Sequence, residues 1–267
     1  MKILVTGAAG SIGQHLVPAL RELGREVTGT DIDTMDVTHG AYTNSVIRAV
    51  APDVVYHLAG AKHAPEGEES PQQVMWVNGE GTWNVLRACE LYAPNAKVIL
   101  ASTCKACDPE TAYGASKLIA ERMVLNAGGV VVRYYNVRET TGNVFRLWEQ
   151  IPPDRPIPWT DCRRYFISLE QALSLTVAAL DLPSGMYTVN PGRPEWMHDV
   201  AARLYPGREL VKIPARRGDR QAEPLCADSE ELKPEADGLV RIVGAHDPVQ
   251  LALARMVGAA PFRTEAA

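Results

Sequence analysis

The sequence predicts an α/β fold, a doubly wound parallel sheet with a smaller C-terminal region. Short apolar runs alternate with longer amphipathic stretches through the first half, a glycine-rich turn joins the first run to the first stretch, and the texture changes to proline-rich after Arg133. The run Ile3-Leu4-Val5 reads as a buried strand near 2–6, and Gly7, Gly10 and Gly13 form a turn into a helix near 12–24. A second strand near 26–30 ends at Asp31, and Asp36-Val37 follows in an extended segment. Further strands are expected near 53–58, 96–101 and 129–134, with helices near 43–51, 72–93 and 111–127. Trp76 and Trp83, seven residues apart, are expected on the packed face of the long helix. Beyond Arg133, the stretch Ile151–Pro158 carries four prolines and cannot be regular helix or central strand. Short helices are expected at 169–180, 195–204 and 247–257. Residues 1–135 are therefore read as a dinucleotide-binding domain, and residues 136–267 as a smaller, partly interwoven substrate-binding region.

Composition narrows the function classes. With 267 residues, 46% hydrophobic and 22% charged, the chain is long enough to bury a full core. A net charge of −5 leaves no basic footprint for nucleic acid. The first residues read as a core strand rather than a signal peptide, and no apolar run approaches the length of a membrane span. Five cysteines without a secretory signal suggest reduced thiols and a cytoplasmic location. Cys104 and Cys107 form a C-x-x-C, but no second pair completes a tetrahedral metal site, so no metal is expected.

The glycine turn points to a cofactor. Gly7 permits the tight turn, Gly10 lets the backbone approach a pyrophosphate, and Gly13 allows helix to pack on strand, so the helix N-terminus faces the anion. Ala9, Ser11 and Ile12 complete that wall. Asp31 stands eighteen residues beyond Gly13, where a carboxylate hydrogen-bonds the adenosine ribose and repels a 2′-phosphate, which indicates NAD rather than NADP. Asp36 and Val37 are expected beside the adenine.

The chemistry is concentrated between Ser102 and Lys117. Tyr113 and Lys117 lie four residues apart and can share a helix face. An ammonium near a phenol favours the phenolate, so Tyr113 can act as a base below its usual pKa of about 10. Upstream, Thr103, Cys104 and Lys105 offer a hydroxyl, a thiol and a second amine.

With Thr6-Gly7, Asp31, His57-Leu58-Ala59-Gly60, Asn78 and Tyr113-x-x-x-Lys117 in place, the chain resembles the extended short-chain dehydrogenases/reductases over roughly residues 1–225. Within them it is similar to the NAD-dependent epimerase/dehydratase branch and, more finely, to the polysaccharide-biosynthesis (CapD-like) nucleotide-sugar 4,6-dehydratases. The finer match rests on Ala61-Lys62-His63, Ser102-Thr103-Cys104-Lys105-Ala106, Arg133-Tyr134-Tyr135-Asn136-Val137, Arg164-Tyr165-Phe166 and Arg216-Arg217-Gly218-Asp219. The resemblance implies a Rossmann fold, NAD contacts at Leu58, Ala59 and Gly60, and a nucleotide-diphosphate sugar bound by Lys62, His63, Asn136, Arg164 and Arg216. Arg164 and Arg216 are the expected phosphate forks. It also implies a homodimer, for which the helices at 72–93 and 111–127 are the candidate faces. Tyr113, with Thr103 and Lys117, is expected to take the sugar C4 hydroxyl proton, and Lys105 the C5 proton. The family has an aspartate where this chain has Cys104. A thiol there could protonate the C6 oxygen, act as a base or nucleophile, or merely fill the space. Dehydration by loss of the C6 hydroxyl is the leading expectation. Epimerisation at C4 or C5, a net 4-keto-sugar reductase and a non-catalytic NAD-binding regulator are the alternatives.

Overall fold

A computed structural model describes residues 1–62 and 64–244. The expected helix at 247–257 and His63 lie outside the described residues. In chain order, β1 (Lys2–Thr6), α1 (Gly13–Glu22), β2 (Glu26–Thr30), α2 (Gly40–Val50) and β3 (Val54–His57) form the first units. They are followed by α3 (Ala64–Glu69), α4 (Pro71–Val74), a π-helical turn Met75–Glu80 and α5 (Gly81–Tyr92), then β4 (Lys97–Thr103), a 3₁₀ turn Cys104–Ala106, α6 (Ala112–Asn126) and β5 (Val130–Tyr134). The second half contributes β6 (Asn136–Val137), α7 (Val144–Glu149), β7 (Ile157–Trp159), β8 (Arg163–Arg164), β9 (Phe166–Ile167) and α8 (Leu169–Ala178). It ends with β10 (Gly185–Val189), β11 (Glu195–Trp196), α9 (Met197–Leu204), β12 (Leu210–Lys212), β13 (Glu230–Pro234) and β14 (Leu239–Gly244).

The main sheet has eight strands in the order β2-β1-β3-β4-β5-β10-β14-β13. Pairing is parallel from β2 through β10, and antiparallel at β10–β14 and β14–β13. The central strands are apolar on both faces because both are covered: Ile3, Val5, Val130 and Val132 pack beneath α1 and α8, while Leu4, Val55, Leu100 and Val131 pack beneath α2, α5 and α6. A third, smaller core around Trp148, Ile157, Phe166 and Met197 holds the elements of the second half together. Three strands of the main sheet, β10, β13 and β14, come from beyond residue 180, where the sequence pattern marks none.

Trp76 and Trp83 depart from expectation, with 57% and 49% of their surface exposed. Val74, Gly79, Val85 and Ala88 take the inner positions of this helical stretch, and the π-helical turn changes its register against the sheet.

Candidate active site

The ends of β1, β2, β3, β4 and β6 open on one cleft of about 800 Å³. Gly7 sits at φ +68°, and a Cβ there would come 2.6 Å from the Ala59 nitrogen; one on Gly13 would come 2.3 Å from the Gly7 carbonyl oxygen. Only glycine fits the crossing of this turn with the β3 loop and the start of α1. The Asp31 carboxylate then fixes the turn: its Oδ2 accepts from the Ala9 N–H at 2.8 Å and its Oδ1 from the Ile32 N–H at 2.8 Å. Gly7, Ala9, Gly10, Ser11, Ile12 and Gly13 line the cleft on one side. Asp31, Asp36, Val37, Leu58, Ala59 and Gly60 line it as well. A glycine floor beside a helix N-terminus, with a carboxylate at the end of β2, is a donor and acceptor set that fits NAD.

His57 and Asn78 support this wall from behind. His57 is fully buried between the Thr6 and Thr82 hydroxyls, at 2.8 and 3.1 Å, and burial pushes its pKa down to about 3. Asn78 accepts from the Ala61 N–H and donates to the Ala61 carbonyl and the Ser116 hydroxyl, which clamps the loop after Gly60 to α6.

At the other end of the cleft lie Thr103, Lys105, Tyr113 and Lys117. Thr111 caps α6 by accepting from the Gly114 N–H at 3.0 Å, so Tyr113 falls in the first turn and Lys117 one turn on. A Cβ on Gly114 would meet the Lys105 carbonyl at 2.3 Å; its absence lets α6 press against the 3₁₀ turn and brings Lys105 alongside Tyr113. Burial holds the Tyr113 phenol above its ordinary value, and the Lys105 charge and a hydrogen bond with Thr103 offset only part of that rise, so the lowered pKa expected from the spacing is not what the folded site gives. Burial lowers Lys117 to about 8, against the attraction of Glu121. The charge acting on the phenol is thus that of Lys105, where spacing alone points to Lys117.

Cys104 is fully buried, does not line the cleft and packs into the core. Burial and the neighbouring Glu223 carboxylate push its thiol up to about 12. Asn136 and Lys62 do line the cleft. Lys62 Nζ donates to the Ser11 hydroxyl at 3.3 Å and the Thr141 carbonyl at 3.0 Å, bridging the glycine turn to the segment after β6. Arg164 lies beside a narrower pocket that it shares with Lys105, with its Nε 3.4 Å from Glu223. Arg216 is placed elsewhere: its side chain is 64% exposed, pairs with Asp219 and lines neither pocket. Arg133, which the resemblance groups with the nucleotide-binding segment, is buried and forked between Glu121 and Glu230 at 2.7 Å each.

Sequence reasoning does not find Glu223, whose carboxylate reaches Lys105, Asn136, Arg164 and Cys104 from the coil between β12 and β13. Its distance along the chain, 119 residues from Cys104, leaves no local signal.

A dinucleotide cleft ending in a Tyr-x-x-x-Lys pair, on a parallel sheet wound on both faces, defines an extended short-chain dehydrogenase/reductase of the NAD-dependent kind. The family model described as polysaccharide biosynthesis protein matches residues 24–243, and the chain belongs to that family. It is 28% identical over 271 residues to the probable polysaccharide biosynthesis protein EpsC of Bacillus subtilis, covering 85% of this chain and 45% of that protein. It is 29% identical over 192 residues to the inverting UDP-N-acetylglucosamine 4,6-dehydratase of Campylobacter jejuni, covering 67% of this chain and 57% of that one. The chain thus spans about half the length of these curated relatives. Among solved structures, Pen from Bacillus thuringiensis superimposes with a TM-score of 0.81 at 22% identity, over 91% of this chain and 88% of that one.

Proposed function

We propose that the protein is an NAD-dependent nucleotide-sugar dehydratase, which oxidises its substrate transiently at C4 and expels the C6 hydroxyl. The observation that carries this reading is the convergence of Tyr113, Thr103, Lys117 and Lys105 on one end of the dinucleotide cleft. The Gly7–Gly13 turn would hold NAD, which would supply the hydride acceptor for C4 and the donor that restores it. Tyr113, hydrogen-bonded to Thr103, takes the C4 hydroxyl proton, and the charge of Lys105 favours the phenolate that does so. The C4 ketone acidifies the C5 proton, and the Lys105 nitrogen faces the same cleft to handle it. Lys62 and Asn136 line the space for the sugar and its diphosphate, with Arg164 behind Lys105.

Incubation with UDP-, dTDP- and GDP-sugars in deuterated water, read by mass spectrometry, tests the reading. A product lighter by one water supports dehydration, and the position of deuterium separates a 4-keto-6-deoxy sugar from an exocyclic alkene. Deuterium at C5 without loss of water indicates epimerisation instead. Consumption of external NAD(P)H indicates a net reductase, and no conversion with any sugar overturns the assignment.

Two further features belong to the same reading. Trp76, Trp83 and Ile119, each more than two fifths exposed, lie on the stretch from α4 to α5 and on α6, which supports a homodimer formed through these helices. All five cysteines are unpaired and four are buried, which suits a reducing cytoplasm, and among the described residues no helix is long and apolar enough to cross a membrane.

A further inference from the structure

Dehydration needs one proton taken from C5 and one given to the departing C6 oxygen. The resemblance offers the residue at 104 for the second transfer, but Cys104 is buried in the core and does not line the cleft. Its thiol points to the Glu223 carboxylate, 3.7 Å away. Glu223 is itself 1% exposed, and both of its oxygens are occupied. Oε1 accepts from Lys105 Nζ at 2.7 Å and faces Arg164 Nε at 3.4 Å; Oε2 accepts from Asn136 Nδ2 at 2.6 Å and from Cys104 Sγ. Lys105 Nζ also donates to Asn136 Oδ1 at 3.2 Å, so the ammonium is fixed from two sides with its third face toward the cleft. The other charged or titratable groups around it are Tyr113 on α6 and Glu110, Asp219 and Arg220 around the narrow pocket.

We propose that Lys105, held as an ammonium by the buried Glu223 carboxylate, serves both proton transfers of the elimination, and that Glu223 is the positioning residue on which that double role depends. The proposal rests on the dehydratase reading above. The step balances on one nitrogen. In one concerted step Lys105 Nζ gives a proton to the C6 oxygen as the lone pair so formed takes the C5 proton; the C5–H electron pair becomes the C5=C6 double bond, the C6–O pair leaves with the water, and Lys105 ends as the ammonium with which it began. Glu223 stays ionised throughout. Burial opposes the lysine charge, yet the Glu223 carboxylate, in direct contact with it, holds it well above the ordinary lysine range.

The test compares wild type with Glu223→Gln and Glu223→Asp, each loaded with NAD. The first readout needs no substrate. Acetic anhydride acylates only a neutral amine, so at about pH 9 Lys105 is expected to stay unlabelled in wild type and to be labelled in Glu223→Gln. Equal labelling of the two proteins overturns the proposal whatever the sugar panel shows. The second readout is the ratio of water loss to hydride transfer at saturating sugar. Glu223→Gln is expected to lower that ratio by about 10²-fold and Glu223→Asp to recover part of it. The alkaline limb of turnover should also move to lower pH in Glu223→Gln, because an ammonium that has lost its carboxylate deprotonates sooner. An equal fall in both partial reactions with an unmoved limb marks Glu223 as merely structural and overturns the proposal. A shifted labelling profile in a wild type that converts no sugar locates the failure in the dehydratase reading and removes the elimination with it.

Discussion

Replacing Arg133 by methionine should cost the fold more than almost any other single change. The guanidinium is 1% exposed and makes five contacts: Nε and NH2 to Glu121 at 3.0 and 2.7 Å, NH1 and NH2 to Glu230 at 2.7 and 3.1 Å, and NH1 to the Cys107 sulfur at 3.2 Å. Glu121 also accepts from the Ser102 hydroxyl at 2.5 Å. Methionine fills the volume but leaves two buried carboxylates without the guanidinium that bridges them. Breaking a buried pair in this way costs about 3–5 kcal/mol, against a total stability of roughly 5–15 kcal/mol. With a urea m-value of about 2–3 kcal/mol/M, the unfolding midpoint should fall by about 1–2 M. The triple variant Arg133→Met, Glu121→Gln, Glu230→Gln removes the stranded charges and should regain more than half of the loss. A single-variant cost below about 1 kcal/mol, or a triple variant no better than the single, would refute the account of this cluster.

Tyr113→Phe should lose turnover by at least about 10²–10⁴-fold while still binding NAD, measured by sugar conversion and by cofactor titration; near-wild-type conversion would sink the oxidation scheme. Cys104→Ser should lose less than about tenfold in sugar conversion, since the thiol does not line the cleft, whereas a loss of 10²-fold or more would restore it as the acid. Asp31→Asn should narrow the preference for NAD over NADP in paired binding titrations, since the carboxylate that repels a 2′-phosphate is gone; an unchanged ratio would place the adenosine elsewhere. His57 is held at about 3 in the fold against an ordinary value of 6.5, so the unfolded chain binds the extra proton between those values. Stability should therefore fall as pH drops below 6.5, by up to about 1.4 kcal/mol per pH unit from this residue, and level off near pH 3. Denaturant melts of wild type and His57→Asn across that range check it: equal slopes would count against the buried neutral imidazole.

The dinucleotide-binding half was legible because its signals are local. A strand covered on both faces is a continuous apolar run, a turn with positive φ asks for glycine, and a residue pair one helical turn apart is visible as spacing. The strands β10, β13 and β14 gave no such signal, since what makes them part of the sheet is pairing with β5 and with each other far along the chain. Arg133 is an instructive case. Its segment resembles one expected to meet a nucleotide, yet its charge is balanced by Glu121 on α6 and Glu230 on β13, and only the fold shows that both carboxylates are there. Glu223 is hidden in the sequence for the same reason, and the spacing of Trp76 and Trp83 misleads because a period of seven fits an outward face as well as the packed one.

The position of the β13–β14 hairpin has a consequence for synthesis on the ribosome. The nucleotide half emerges first, but its β5 edge has no neighbour until β10 arrives, and the Arg133 guanidinium lacks its second carboxylate until Glu230, 97 residues later, leaves the exit tunnel. At about 5–20 residues per second that interval is roughly 5–20 s. During it the nascent chain presents an open strand edge and half of an ion cluster, the kind of surface that chaperones bind and that pairs wrongly with neighbouring chains. Completion of the sheet by β14 and β13 ends that exposure, so the last described strands act as the latch that converts a sticky intermediate into the finished fold.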